Sequence, residues 1–127
     1  MKTIKVSEAT NIQLDWLVAK AQGRKEIKIF APHRPTDRGW IEVRFNPEPK
    51  AATARFDPTV SWEFGGPIIE REEIGFAKYG PNGSWKAVIG ETPRGSPFYG
   101  PTPLIAAMRC YVASKLGDEV EIPEELS

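Results

Sequence analysis

The spacing of apolar residues shifts along the chain between every second position and every third or fourth, and these shifts mark out the elements. Residues 2–6 alternate, with Ile4 and Val6 apolar between polar neighbours, as in a short strand. Thr10 then opens a Thr-x-x-Gln pattern with Gln13, the signature of a helix start whose two side chains cap backbone N–H groups. Leu14, Leu17, Val18 and Ala21 follow on one helical face, and Gly23 stands where a left-handed residue ends the helix. Trp16 lies off that face, which directs it toward something other than the main core.

Alternation resumes at 26–30, where Ile27 and Ile29 point one way. It returns at 40–45, where Ile41, Val43 and Phe45 oppose Glu42 and Arg44. The stretch between them, 31–39, has the composition of a loop. Pro47, Pro49 and Pro58 exclude a long helix or a central strand from 46–58. Residues 74–79 and 85–89 flank Pro81-Asn82-Gly83, the clearest hairpin signal in the chain. Another Gly- and Pro-rich loop covers 90–101. A second helix is expected over 102–116: Thr102 suits its cap, and Pro103 its first position, where a missing N–H costs no helical bond. Leu104, Ile105, Met108, Tyr111, Val112 and Leu116 give this helix a broad apolar stripe to lay on the sheet, and Gly117 ends it. Together the elements predict an α+β fold: a single domain over 1–127, an antiparallel sheet with two helices packed on one face.

Charge narrows the function classes. Seventeen Lys and Arg balance seventeen Asp and Glu, so no basic excess exists to neutralise phosphates, and nucleic acid is not the expected partner. Forty per cent hydrophobic content at zero net charge excludes a disordered chain. No run approaches the roughly 18 apolar residues of a membrane helix. The N-terminus has no secretory apolar segment either, so a cytoplasmic location is expected. Cys110 is the only cysteine and His33 the only histidine, which leaves no internal disulfide and no Cys/His metal cluster. No metal and no cofactor are expected. The balance is uneven, however. Residues 1–55 hold eleven basic and six acidic residues, and 56–127 hold six and eleven. Such halves either neutralise one another within the fold or steer a partner.

Candidate chemistry gathers in two segments. Gly65-Gly66-Pro67 lacks both the Lys-Ser/Thr of a phosphate loop and the Gly-x-Gly of a dinucleotide site, and reads as a tight turn into a strand. In that strand Glu70 and Glu72 share one face and Arg71 takes the other. Paired carboxylates suit acid–base chemistry or a divalent cation, and equally a solvated face. Gly65 and Gly66 permit close backbone approach, Trp62 offers contact area, and Glu70, Arg71 and Glu72 can orient polar groups. The helix start after Thr102 presents free N–H groups suited to an anion, with Arg109 two turns further on. These eight residues are the candidate binding site, and none is a candidate for catalysis. Cys110 falls in a packing pattern and His33 in a solvated loop, so neither is placed as nucleophile or base. Trp40 with Arg44 and Trp85 with Lys86 interleave aromatic and basic groups as stacking surfaces do, but core packing is the reading preferred for them.

Three segments carry a resemblance: Leu14-Asp15-Trp16-Leu17-Val18-Ala19-Lys20-Ala21, then Trp62-Glu63-Phe64-Gly65-Gly66-Pro67-Ile68-Ile69-Glu70-Arg71-Glu72, then residues 100–117. In this order they resemble the bacteriophage NinX-like family. The resemblance implies a small accessory protein of tailed phages and prophages, acting in the bacterial cytoplasm. The leading expectation is a non-enzymatic protein that binds a host or phage macromolecule, with a protein as the partner. The alternative is a small enzyme or small-molecule-binding protein using residues 62–72 and the helix start at 102–109. One cleft gathering Glu70, Arg71, Glu72 and Arg109 would favour the alternative, and their dispersal the leading reading.

Overall fold

A computed structural model describes residues 1–32, 38–45, 52–90 and 97–127. In chain order they form β1 (Lys2–Lys5), α1 (Asn11–Ala21), β2 (Ile27–Phe30), β3 (Trp40–Val43), β4 (Ala54–Arg55) and α2 (Trp62–Arg71). Then come β5 (Ile74–Tyr79), β6 (Ser84–Ile89), β7 (Phe98–Gly100), α3 (Pro103–Leu116) and β8 (Glu119–Ile122). The fold is mixed α+β and its strand pairing antiparallel, as the patterning predicts. The strands divide into three small sheets, β1–β8, β2–β3–β4 and β5–β6–β7, and the helices number three among the described residues.

The three sheets follow from how α3 is buried. Leu104, Ile105, Ala106, Ala107, Met108, Cys110, Tyr111 and Val112 are all buried, so the helix is apolar on nearly every side and needs cover on nearly every side. α1, α2 and the β5–β6–β7 sheet all pack against it. Its N-terminus is built as expected, with Thr102 Oγ1 accepting the Ile105 N–H at 3.1 Å. The expected stripe stops short of its end, because Leu116 is 36% exposed. The last turn runs past the sheet into solvent, where Lys115 meets Glu72.

α1 starts where Gln13 Oε1 accepts the Thr10 N–H at 2.9 Å, and Gly23 leaves it at φ 80°. It touches both α3 and β3, and this double cover buries every residue from 14 to 19. Trp16 is one of them, so it joins the main core rather than packing apart from it. The 74–89 hairpin is also as expected, with Tyr79 opposite Ser84 across the turn. Within the three predicted loops, residues 33–37, 46–51 and 91–96 lie outside the described residues. The described parts add two short strands, β4 and β7. β7 depends on Gly100, where a Cβ would stand 2.9 Å from the Ala106 backbone nitrogen.

The segment expected to enter a strand is instead the helix α2. The Ser61 carbonyl accepts N–H groups from Phe64 and Gly65, which starts the helix, and Ile68 is buried one turn after Phe64. Tertiary packing overrides the breaker signal. Gly65 lies so close to α3 and the chain before α2 that a Cβ would come 2.5 Å from Leu104 Cδ2 and 2.7 Å from the Pro58 carbonyl oxygen. Two residues past the helix end, Glu73 is a non-glycine residue at φ 53°, from which β5 departs.

The charge asymmetry is partly met inside the fold. β1 and β8 place Lys5 opposite Glu119, and the terminal ammonium lies 3.0 Å from Glu124. Among the described residues, no helix is long and apolar enough to cross a membrane.

Candidate functional site

The helical form of 62–71 regroups the predicted site residues. Trp62, Gly66 and Glu70 fall at i, i+4 and i+8, one row along α2. Gly66 leaves that row low, its nearest neighbour for an added Cβ being the Trp62 ring at 3.9 Å. Beyond it the Trp62 ring lies 6.0 Å from that of Phe76 on β5, and Phe76 lies 6.1 Å from Trp85 on β6. Trp62 is 51% exposed and Phe76 39%, although both are large and apolar. Glu63 and Glu70 are exposed on α2, Glu70 in the row of Trp62, and Glu73 is exposed just before β5. Among the described residues none of the three forms an ion pair.

The other predicted residues stand elsewhere. Gly65 is buried between α2 and α3 and offers no surface. Glu72 turns toward α3, 2.8 Å from Lys115 Nζ and 3.7 Å from Arg71 Nε, in a groove floored by Tyr111. Its hydrogen bond and charge raise the Lys115 pKa. Thr102 is committed to its cap. Arg109 donates from Nη1 to the Tyr99 carbonyl at 2.7 Å and from Nη2 to the Ala9 carbonyl at 3.1 Å. It thereby ties β7 and the start of α1 to α3, at the wall of a cleft of about 800 Å3. Arg109 therefore lines one cleft and Arg71 with Glu72 another, and Glu70 lines neither of the two.

The aromatic–basic pairs also resolve. Register puts Trp85 and Lys86 on opposite faces of their sheet. Trp40 stacks on Phe30 at 5.1 Å and carries Arg55, not Arg44, at 4.5 Å. Cys110 is buried, and that burial pushes its thiol up to about 11, which keeps it from acting as a nucleophile near neutral pH. His33 lies outside the described residues. No group of three or more His, Cys, Asp or Glu among the described residues could hold a metal ion.

Sequence reasoning missed one site. Asp15, in the middle of α1, is only 5% exposed, and its Oδ1 accepts the Thr59 N–H at 3.0 Å. Burial pushes its carboxyl up to about 7 against the opposing Thr59 hydrogen bond, and the charge of Asp57 adds to the rise. Asp57 is itself raised by partial burial, with Arg55 opposing. Thr59 is 1% exposed, and its hydroxyl, beside the Asp15 carboxyl, also acts to lower the pKa of Asp15. Asn11, Arg38 and Trp40 complete a pocket of about 150 Å3. That is well below the roughly 300–1,000 Å3 of small-molecule sites. The work of the Asp15 carboxyl is to hold α1 to the turn before α2, the helix that carries Trp62. The signal was present in the sequence: a carboxylate standing alone among Leu14, Trp16, Leu17, Val18 and Ala19.

Comparison with curated proteins gives no match. A family model described as "Bacteriophage P22, NinX" matches residues 5–115, which takes in α1, α2, the hairpin and nearly all of α3. The chain belongs to the NinX family of bacteriophage P22.

Proposed function

We propose that this NinX-family chain is a phage accessory protein that binds a host or phage macromolecule in the bacterial cytoplasm and catalyses no reaction. The supporting observation is the ledge of Trp62 and Phe76. Two large apolar side chains in contact with each other, and both well exposed, are what a protein partner's surface covers. The enzyme alternative asked for Glu70, Arg71, Glu72 and Arg109 around one cleft, and their separation counts against it.

The test compares tagged wild-type protein with the Trp62→Ala/Phe76→Ala variant in pull-downs from infected and uninfected host cells. Both side chains are exposed, so the variant should keep its fold, checked by its thermal melt. Aromatic anchors at the centre of an interface each cost about 2 kcal/mol or more when truncated, so captured partner should fall at least about tenfold. Equal capture by the folded variant would contradict the reading.

A further inference from the structure

We propose that β5 accepts, along its open edge, an extended segment of a protein partner that carries lysine or arginine beside an apolar side chain. This rests on the binding reading above and gives the partner its chemistry. β5 is an outer strand of β5–β6–β7, and five of its six residues are exposed. On the side away from β6 its backbone groups have no partner among the described residues. It carries no proline, and Lys78 is its only charge, so little guards the edge against an added strand.

The surroundings select what is added. Side chains of an added strand alternate between the two sheet faces, so every second one meets the face of Phe76, next to Trp62. An apolar side chain fits there. Glu63, Glu70 and Glu73 lie exposed and without ion pairs, while Arg71, the base on the same helix, is engaged with Glu72. The carbonyl end of α2 adds partial negative charge beside Glu70 and Glu73. Three unpaired carboxylates call for a basic segment and repel phosphates. A second β5 would bring only Lys78 to meet them.

The probe is a short peptide alternating lysine with valine and leucine, titrated into the isotope-labelled full chain while amide NMR shifts are followed. Two control peptides accompany it: one with glutamate replacing lysine, and one with backbone N-methyl groups on alternate residues, which removes the donors of strand pairing. The expected result is saturable binding that shifts Gly75 and Ala77, at least tenfold weaker binding of the glutamate peptide, and none of the N-methylated one. Glu63→Gln/Glu70→Gln/Glu73→Gln should weaken the lysine peptide about tenfold, the sum of three exposed ion pairs. The proposal is overturned by equal binding of the lysine and glutamate peptides, by shifts away from β5, or by no saturable binding. Concentration-dependent dimerisation that occupies the β5 edge overturns it too. If the peptide fails while pull-downs still depend on Trp62 and Phe76, this inference falls and the binding reading stands.

Discussion

Asp15→Asn is expected to stabilise the protein at pH 8 and to leave its stability nearly unchanged near pH 4. A carboxyl held at about 7 when folded, against an ordinary value of 3.8, binds its proton more tightly in the folded state. The stability it contributes is complete below the unfolded value, falls as the pH rises from about 4 to 7, and is gone above that. The full span is about 4 kcal/mol, at about 1.4 kcal/mol per pH unit, and it sets the largest gain open to the substitution. Asparagine keeps both an oxygen for the Thr59 N–H and a planar polar group of the same size in the buried site. Asp15→Ala keeps neither, and strands a buried N–H at a cost of about 1–3 kcal/mol. Denaturant melts at pH 4, 6 and 8 check this. A Asp15→Asn effect that does not grow with pH would show that Asp15 titrates as an ordinary surface carboxylate.

Substitution of two adjacent glycines by alanine is expected to have opposite effects. Alanine favours a helix over glycine by about 1 kcal/mol, and at Gly66, where an added Cβ meets nothing nearer than 3.9 Å, Gly66→Ala should gain about that much. At Gly65 the same methyl runs into the Pro58 carbonyl oxygen at 2.7 Å, a backbone atom that cannot swing aside as the Leu104 methyl can. Overpacking of this kind costs about 1–3 kcal/mol, so Gly65→Ala should lose stability despite its better helix propensity. Thermal melts of the two variants separate the cases. If both lose stability alike, 62–71 is not the helix described here.

Those two glycines also show where sequence reading stopped. The elements that declared themselves did so through local chemistry: Thr102-Pro103 and Gly117 bounding α3, Gln13 and Gly23 bounding α1, and Pro81-Asn82-Gly83 turning the hairpin. α2 hid because Gly65-Gly66-Pro67 is locally a helix breaker, and what Gly65 permits there is close approach to Pro58, before the helix, and to Leu104, almost forty residues along. β7 hid in a Gly/Pro-rich stretch for a similar reason, since Gly100 is there to meet Ala106. Of the site, Trp62 was chosen for its contact area and does stand exposed. Its neighbour Phe76 belongs to a strand that appeared only as half of a hairpin. Glu70 and Glu72, placed on one face by the strand reading, are a half-turn apart on α2: one joins the ledge and the other faces Lys115. Asp15 needed Thr59, 44 residues away, to explain its burial.

The most direct measurement of the central claim, that the α2–β5 ledge is where this protein meets its partner, is oxidative footprinting of the chain alone and in complex with the partner it captures. Hydroxyl radicals report the exposure of each aromatic ring. Trp62 and Phe76 should oxidise readily in the free chain and be protected in the complex, while Phe45, exposed and stacked on Phe64, should react equally in both. Trp62 and Phe76 oxidising as fast in the complex as in the free chain would contradict the account.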